Sequence, residues 1–119
     1  MAEEESKEAQ PVVLRLPRRE IWLDVPEYEA FKIKVWANYP ERVRKGLWSD
    51  DTAELQAALL EVVREHNGWG DEEGNPYPAA GTAEFWDALP NELAATVIVL
   101  ARHEAPRVLP FSLASKRRV

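Results

Sequence analysis

The sequence predicts an α+β fold in which a short N-terminal β-hairpin packs on a small bundle of three to four helices. Two adjacent segments between residues 20 and 36 alternate between apolar and polar side chains, as strands with one buried face do. Two later segments repeat apolar residues at intervals of three and four, which is typical of amphipathic helices. A chain of 119 residues has room for one domain with a modest core.

The two ends of the chain differ in composition from its middle. Residues 1–11 are polar and acidic and are expected to form a disordered tail. Residues 12–106 carry the strand and helix patterns and are expected to form a single α+β domain. Residues 107–119 include the basic run Lys116–Arg118 and are expected to form a flexible basic tail.

The hairpin has a predicted register, because one register brings apolar residues and opposite charges face to face. The predicted pairs are Asp24 with Lys32, Leu23 with Ile33, and Ile21 with Val35. Alternation places Trp22 and Trp36 on the opposite face, together with charged residues. Either another segment, such as the arm formed by residues 12–16, covers that face, or the face binds a partner.

Capping signals place the first two helices. Pro40 suits the first turn of a short helix. Asp51, followed three residues later by Glu54, has the spacing of a capping box and starts the second helix. Its apolar stripe consists of Leu55, Leu59, Val62 and Val63, with His66 one turn further on. This helix is expected to stop at Asn67–Gly68, a strong C-terminal signal.

A loop rich in glycine and proline is expected over residues 68–82, before the last helices. Thr82 is expected to cap a turn that contains Phe85 and Trp86. Pro90 fits the start of the last long helix, and Pro106 is expected to end it. The core stripe of this helix is expected to be Leu89, Leu93, Val97, Leu100 and Ala101.

The sequence contains no set of residues that suggests catalysis, a metal or a cofactor. It has no cysteine, which excludes disulfides and thiolate sites. Two histidines, His66 and His103, are too few for a zinc site, and His66 is expected to have a structural role at a helix end. The acidic residues 71–75 lack the spacing of a calcium loop and are expected to form a Gly/Asn turn. No serine nucleophile motif or phosphate-binding loop is present.

Charge and hydropathy limit the partners that the chain can have. The net charge of −6 disfavours nonspecific binding to nucleic acid, so nucleic acid is not an expected partner. No secretory segment opens the sequence, and the longest apolar run, Leu93–Ala101, is too short to cross a bilayer. The expected setting is therefore the cytoplasm, without a membrane partner.

Four segments, taken in order, resemble the small tail assembly proteins of long-tailed phages, of the tail-assembly-chaperone type. They are FKIKVWANYP at 31–40, EVVREHNGW at 61–69, DEEGNPYP at 71–78, and FWDALPNELAATVIVLAR at 85–102. The resemblance covers residues 19–105 and leaves out both tails. These proteins are similar to this chain in size and in pairing a short β element with a helical body.

The resemblance implies a non-enzymatic protein of the host cytoplasm that binds the tape-measure protein, keeps it soluble and promotes tail-tube assembly. Its partners would be the tape-measure protein, the tail-tube protein or both, and a homo-oligomer is a further option. Binding an aggregation-prone chain requires exposed apolar and aromatic surface. The candidate partner-binding residues are Trp22, Trp36, Trp48, Trp69, Leu109, Phe111 and Leu113.

Two alternatives from other classes stay open. One is a structural virion component, either a minor tail protein or a head–tail joining protein, whose subunits exchange their N-terminal arms and C-terminal tails. The other is a small phage regulator that binds a host protein or nucleic acid. Only the basic tail favours the regulator, because no basic groove interleaved with aromatic residues accompanies it.

Overall fold

The computed structural model describes residues 12–108 and has a three-stranded antiparallel sheet with helices on one of its faces. In chain order the elements are β1 (Glu20–Asp24), β2 (Lys32–Trp36), α1 (Glu41–Leu47), α2 (Thr52–Val62), β3 (Val63–His66), α3 (Ala83–Ala88), α4 (Asn91–Val99), a π-helical turn (Leu100–Glu104) and α5 (Ala105–Val108). The predicted α+β class and the N-terminal hairpin are confirmed. The predicted acidic tail at 1–11 lies outside the described residues.

The hairpin has the register that the sequence predicts. Strand β1 pairs with β2 so that Asp24 lies opposite Lys32, and the apolar pairs follow in step. Ile33 and Val35 of β2 are fully buried on the inner face, which packs on the helices. Because the side-chain period of a strand is two, burying this one face fixes the register of the whole pair.

A third strand, β3, occupies the place where the sequence predicted the end of a helix. Helix α2 ends at Val62, and the prediction that it continues to Asn67–Gly68 is wrong. The chain straightens at Val63 and pairs antiparallel with β2, where the β-branched side chain of Val63 is fully buried. The guanidinium of Arg64 donates to the carbonyls of Leu60 and Glu61 at 3.3 and 3.5 Å, which satisfies the open end of α2.

Side-chain caps fix the starts of two helices, as predicted. Asp51 caps α2 by accepting hydrogen bonds from the N–H groups of Ala53 and Glu54. The Glu54 carboxylate does not complete a capping box with Asp51, because it accepts the hydroxyl of Ser49 at 2.6 Å instead. Thr82 caps α3 by accepting the N–H of Phe85. These caps set where each helix begins and therefore which face it presents to the core.

The last helix continues through Pro106, so the prediction that Pro106 ends it is wrong. The N–H of Ala105 donates to the carbonyl of Leu100, five residues back, as in a π-helix. In an α-helix the N–H of Ala105 would donate to the carbonyl of Ala101. With the π-helical turn, the N–H that would donate to this carbonyl is that of residue 106, and Pro106 has none. The carbonyl of Ala101 instead accepts the hydroxyl of Tyr39 at 2.8 Å.

The core lies between the inner face of the sheet and the helices. Its largest fully buried side chains are Phe85, Ile33, Leu47, Val35, Val43, Val62, Val63 and Val97. Helices α1 and α2 approach closely at Gly46, where an added Cβ would stand 2.9 Å from the Cβ of Ala58. The predicted stripe of the last helix is confirmed, since all five of its residues are buried.

Candidate partner-binding surface

The outer face of the sheet carries a small network of charges. The carboxylate of Glu20 on β1 lies 3.4 Å from the ammonium of Lys34 and 3.7 Å from the guanidinium of Arg64. Lys34 also reaches Glu65 on β3 at 3.6 Å. Partly exposed pairs of this kind contribute little to stability, about 0–1 kcal/mol each. They make the centre of the outer face polar and leave the aromatic residues at its margins.

Trp36 lies on the outer face by register but is only 7% exposed, so the expectation of an exposed ring is wrong. The guanidinium of Arg18, in the segment before β1, stacks 3.7 Å from the centre of its ring. Its indole N–H donates to the side chain of Asn38 at 2.7 Å. The covering residue comes from the chain just after the 12–16 arm, and Trp36 does not belong to the accessible surface.

Trp22 is the aromatic residue that the outer face does expose. It is 45% accessible and lies on β1, the edge strand of the sheet. The ammonium of Lys34 stands 5.8 Å from the centre of its ring. Trp22 is absent from the core cluster and from the side chains packed against that cluster. An exposed indole beside an open strand edge is a surface that another chain can cover.

Trp69 is also buried, at 2% exposure, so its expected place on a binding surface is wrong. Its ring lies between those of Phe31 and Phe85, with centroid separations of 5.0 and 5.7 Å. Its indole N–H donates to Asn67 at 2.9 Å, so the polar atom of the side chain has a partner inside the fold. Trp69 closes the core against the glycine-rich loop.

His66 has a structural role, as expected, but at the end of β3 and not at the end of a helix. Its Nδ1 accepts the N–H groups of Gly68 and Trp69, and its Nε2 lies 3.0 Å from the carbonyl of Pro78. With Nδ1 as the acceptor of these two N–H groups, Nε2 is the nitrogen that donates to the carbonyl of Pro78. The ring also stacks on Phe85 at 5.6 Å. Both nitrogens are engaged within the fold.

Trp48 is 46% exposed and stands just beyond the end of α1. The guanidinium carbon of Arg102 lies 4.8 Å from the centre of its ring, and the ring of His103 meets it edge-on at 5.0 Å. Arg102 also donates to the carbonyl of Leu47 at 2.6 Å, which fixes the guanidinium in place. Sequence reasoning did not connect these residues, because no local pattern relates α1 to a turn so far along the chain.

Trp86 packs against the core as a partly buried side chain. It is partly buried and meets the fully buried ring of Phe85 at a right angle, with centroids 5.5 Å apart. Among residues 12–108, its indole nitrogen is the one buried side-chain polar atom without a hydrogen-bond partner. Trp86 therefore contributes to packing and offers little accessible surface.

The acidic loop forms the turn that the sequence predicts. The carboxylate of Asp71 accepts the N–H groups of Glu73 and Asn75, each at 2.9 Å, and Gly74 supplies a left-handed residue with φ of 89°. These hydrogen bonds, the one from Asn75 first, hold the pKa of Asp71 below its usual value. Within the part of the chain that the structure describes, no three His, Asp or Glu side chains group as a metal site would require.

Apolar surface is also exposed along the arm, residues 12–16. Its four apolar side chains are between 77% and 89% accessible, far more than any tryptophan. They are Val12, Val13, Leu14 and Leu16. The remaining candidates, Leu109, Phe111 and Leu113, lie outside the described residues. The accessible candidates are therefore Trp22 and Trp48, to which the structure adds the arm.

Comparisons with protein-family models, with curated proteins and with solved structures found nothing that matches this chain. Between residues 12 and 108, no helix is both long enough and apolar enough to cross a membrane.

Proposed function

We propose that this protein is a non-enzymatic phage tail assembly protein that binds the tape-measure protein in the host cytoplasm and promotes tail-tube assembly. The observation that carries the proposal is Trp48, a half-exposed indole that does not belong to the core. The resemblance of residues 19–105 to tail assembly chaperones supplies the class of partner.

Trp48 has the properties of a residue that anchors a protein partner. An indole offers a large apolar area with few rotatable bonds, which is why tryptophan is enriched at interface hot spots. Arg102 and His103 already hold the ring from two sides, so docking a partner on it costs little conformational entropy. A rigid and half-exposed indole suits an apolar side chain of an incoming helix.

The composition of the chain suits a protein that keeps an apolar partner in solution. A net charge of −6 opposes aggregation of the loaded complex. The apolar residues Leu109, Phe111 and Leu113 follow in sequence directly after α5, and α5 continues the turn that carries Arg102 and His103. We include these three residues with Trp48 in the proposed partner-binding surface.

Co-expression with the tape-measure protein of the same genome tests the proposal. We expect the tape-measure protein to remain soluble and to co-purify with this chain, and to precipitate when this chain is omitted. The mass of the purified complex gives its stoichiometry. A tape-measure protein that is equally insoluble with and without this chain would rule the proposal out.

A matched pair of variants locates the surface. Trp48→Ala removes the proposed anchor, and Trp22→Ala removes an indole of almost equal exposure, 45% against 46%, on another element. We expect Trp48→Ala to weaken capture of the tape-measure protein at least about tenfold, as hot-spot truncations do. We expect Trp22→Ala to weaken capture by less than about threefold, since exposed residues outside a hot spot change binding little. The opposite order would move the binding surface to the sheet.

A structural virion component is a second candidate, and the exposed arm is the specific observation that favours it. Subunits of assembled particles commonly extend an arm onto a neighbour, and residues 12–16 expose nearly all of their apolar side chains. Mass spectrometry of purified virions separates the two candidates. A structural component is retained at a fixed copy number, whereas a chaperone leaves before the particle is complete.

A further inference from the structure

We propose that two copies of this chain associate through antiparallel pairing of residues 12–24, with the arm of each copy lying along β1 of the other. This proposal does not depend on the identity of the partner that binds at Trp48. Three features of the described residues support it: an open strand edge, an exposed apolar arm that leads in sequence into that strand, and complementary charges on the two.

Strand β1 is at the edge of the sheet, and its even-numbered residues have open backbone groups. The sheet order is β1-β2-β3. The N–H of Val25 donates to Phe31 and the carbonyl of Arg19 accepts from Ala37, so the odd-numbered residues of β1 face β2. Antiparallel hydrogen bonds alternate along a strand, so the even-numbered residues face outward. Within residues 12–108, no other backbone hydrogen bond reaches Glu20, Trp22 or Asp24.

The segment before β1 keeps the same alternation. The N–H of Arg19 and the carbonyl of Pro17 both bond to the side chain of Asn38, at 2.8 and 3.1 Å, on the side of β2. Odd-numbered residues therefore still face inward at Pro17. If pairing with a second copy continues this alternation through the arm, the N–H groups of Val12, Leu14 and Leu16 fall on the row that faces that copy.

Pro17 does not interrupt the line of N–H groups on the open side of the strand. Pro17 has no N–H, but as an odd-numbered residue it faces β2 and takes no part in the open row. Every even-numbered residue from 12 to 24 has an N–H to donate. An edge of this kind, with exposed apolar side chains beside it, is a template for pairing with another strand.

Charge identifies a second copy as the occupant. The segment from the arm to β1 is basic at Arg15, Arg18 and Arg19, whereas β1 carries Glu20 and Asp24. A strand that carries both charges in this order is complementary to itself when it runs antiparallel. Two copies therefore present the same surface to each other, as a two-fold interface requires.

The register centred on Arg19 pairs opposite charges across the two-fold axis. It places Arg18 of one copy opposite Glu20 of the other, on both sides of the axis, and Leu16 opposite Trp22. It also sets the two Arg19 side chains together at the axis, which is one unfavourable pair. A register centred on Arg18 has an equivalent unfavourable pair, of the two Arg18 side chains, and leaves Glu20 opposite Leu16, so it lacks the two Arg18–Glu20 pairs. The exposed ring of Trp22 thereby gains an apolar cross-strand neighbour.

The inner side of the same edge also fits the arm of a second copy. A notch of about 320 Å³ opens beside β1 and is lined by Leu23, Pro26, Val99 and Glu104, among others. In the register centred on Arg19, Arg15 of the second copy stands opposite Leu23. Its aliphatic stem can cover the exposed Val99, and its guanidinium can meet the carboxylate of Glu104.

A proline on each of the two rows tests the pairing. Leu14→Pro removes an N–H from the even-numbered residues, which face the second copy. Val13→Pro removes an N–H from the odd-numbered residues of the same exposed arm, which face the other way. By sedimentation of the full chain we expect a dimer for the wild type. We expect Leu14→Pro to raise the dimer dissociation constant at least about tenfold, because the two-fold symmetry removes one hydrogen bond at each of two places. We expect Val13→Pro to change this constant by less than about threefold. A wild type that is monomeric at about 0.1 mM, or variants that weaken equally, would overturn the proposal.

Cysteine cross-linking tests the register, because the chain has no cysteine of its own. Arg19→Cys places one thiol of each copy beside the two-fold axis, within reach of a disulfide. Arg15→Cys is the control, because in the same register its two thiols lie on opposite sides of the axis, far apart. We expect rapid oxidation to a cross-linked dimer for Arg19→Cys alone. Equal cross-linking of both variants would contradict the register.

Discussion

Trp69 and Trp48 stand in similar local sequences and end in different environments. Trp48 comes directly after α1 and two residues after Gly46, and Trp69 comes just after β3 and next to Gly68. Trp69 is buried among aromatic rings, and its N–H has a partner inside the fold. Trp48 is half exposed and contacts two cationic or polar side chains of a distant turn.

The difference shows that residues far away in the chain decide whether an indole belongs to the core. Phe31 and Phe85 reach Trp69 from distant parts of the chain and bury its ring. The neighbouring Asn67 accepts its N–H, so burial leaves no polar atom of the indole without a partner. Trp48 contacts Arg102 and His103 and stays 46% exposed among residues 12–108, and we propose that another protein binds its exposed face. A substitution of Trp69 should therefore reduce mainly stability, whereas a substitution of Trp48 should reduce mainly partner binding.

Trp69→Ala should give the largest loss of stability. We expect the free energy of unfolding to fall by about 3–5 kcal/mol, because the truncation opens a cavity between Phe31 and Phe85. Trp69→Phe is the matched control, since it keeps most of the ring and loses only the hydrogen bond to Asn67, and it should cost about half as much. Urea unfolding followed by circular dichroism measures both. A loss below about 1 kcal/mol for Trp69→Ala would show that Trp69 is not a core residue.

Trp36→Ala should follow, with a loss of about 2–3 kcal/mol by the same measurement, because the ring is buried and the guanidinium of Arg18 stacks on it. Arg18→Ala uncovers the ring without removing it and should cost about 1 kcal/mol or less. Together the two variants show whether Trp36 stabilises the fold, as we expect of Trp69, or contributes little to stability, as we expect of Trp48. If Trp36→Ala leaves stability unchanged, the outer face is open at this position.

Features that depend on residues close together in the sequence, such as strand register and helix caps, could be predicted. The period of two gave the register from Ile21 to Val35, and the caps at Asp51 and Thr82 gave two helix starts. Strand β3 was missed, because Val63 fits the stripe of a helix as well as a strand, and its pairing with the edge of β2 decides between them. The helix through Pro106 was missed because its stability depends on Tyr39, a residue on a distant segment.

The candidate site was harder to predict than the fold. Alternation correctly placed Trp22 and Trp36 on one face, but it does not contain the information that Arg18 covers only one of them. Likewise, the helical pattern around Trp48 does not show that Arg102 and His103 meet it in space. Exposure of an aromatic residue depends on contacts between distant segments, which a local pattern does not record.

Tyr39 is an intermediate case, partly buried and with its polar tip engaged. Tyr39→Phe removes the hydroxyl that donates to the carbonyl of Ala101. No backbone N–H replaces it at residue 106, because proline has none. We expect a loss of about 1–2 kcal/mol, which is the usual cost of an unsatisfied buried acceptor. A thermal or urea melt at neutral pH measures it. A loss below about 0.5 kcal/mol would mean that solvent satisfies this carbonyl.

The same tyrosine gives a pH dependence with a definite sign. Burial disfavours the phenolate and raises the pKa of Tyr39 above its usual 10.0, against a smaller opposite effect of Arg44. The stabilisation from Tyr39 is therefore complete below pH 10.0 and is lost as the pH rises through the higher pKa of the folded state. The stability difference between wild type and Tyr39→Phe should shrink above pH 10.0. A difference that stays constant there would contradict burial of the hydroxyl.

Trp48→Ala should have the smallest effect on stability and the largest on partner binding. Half of the indole is already in water, and its contacts with Arg102 and His103 are themselves partly exposed, so we expect a loss of about 1 kcal/mol or less. The folded variant should nevertheless lose the tape-measure protein in the co-expression assay. A larger loss of stability would place Trp48 with Trp69 in the core, and the contrast between the two tryptophans would then be one of degree. An unchanged complex would show that the partner contacts a different surface, and Trp22 with the arm would be the next accessible apolar residues to substitute.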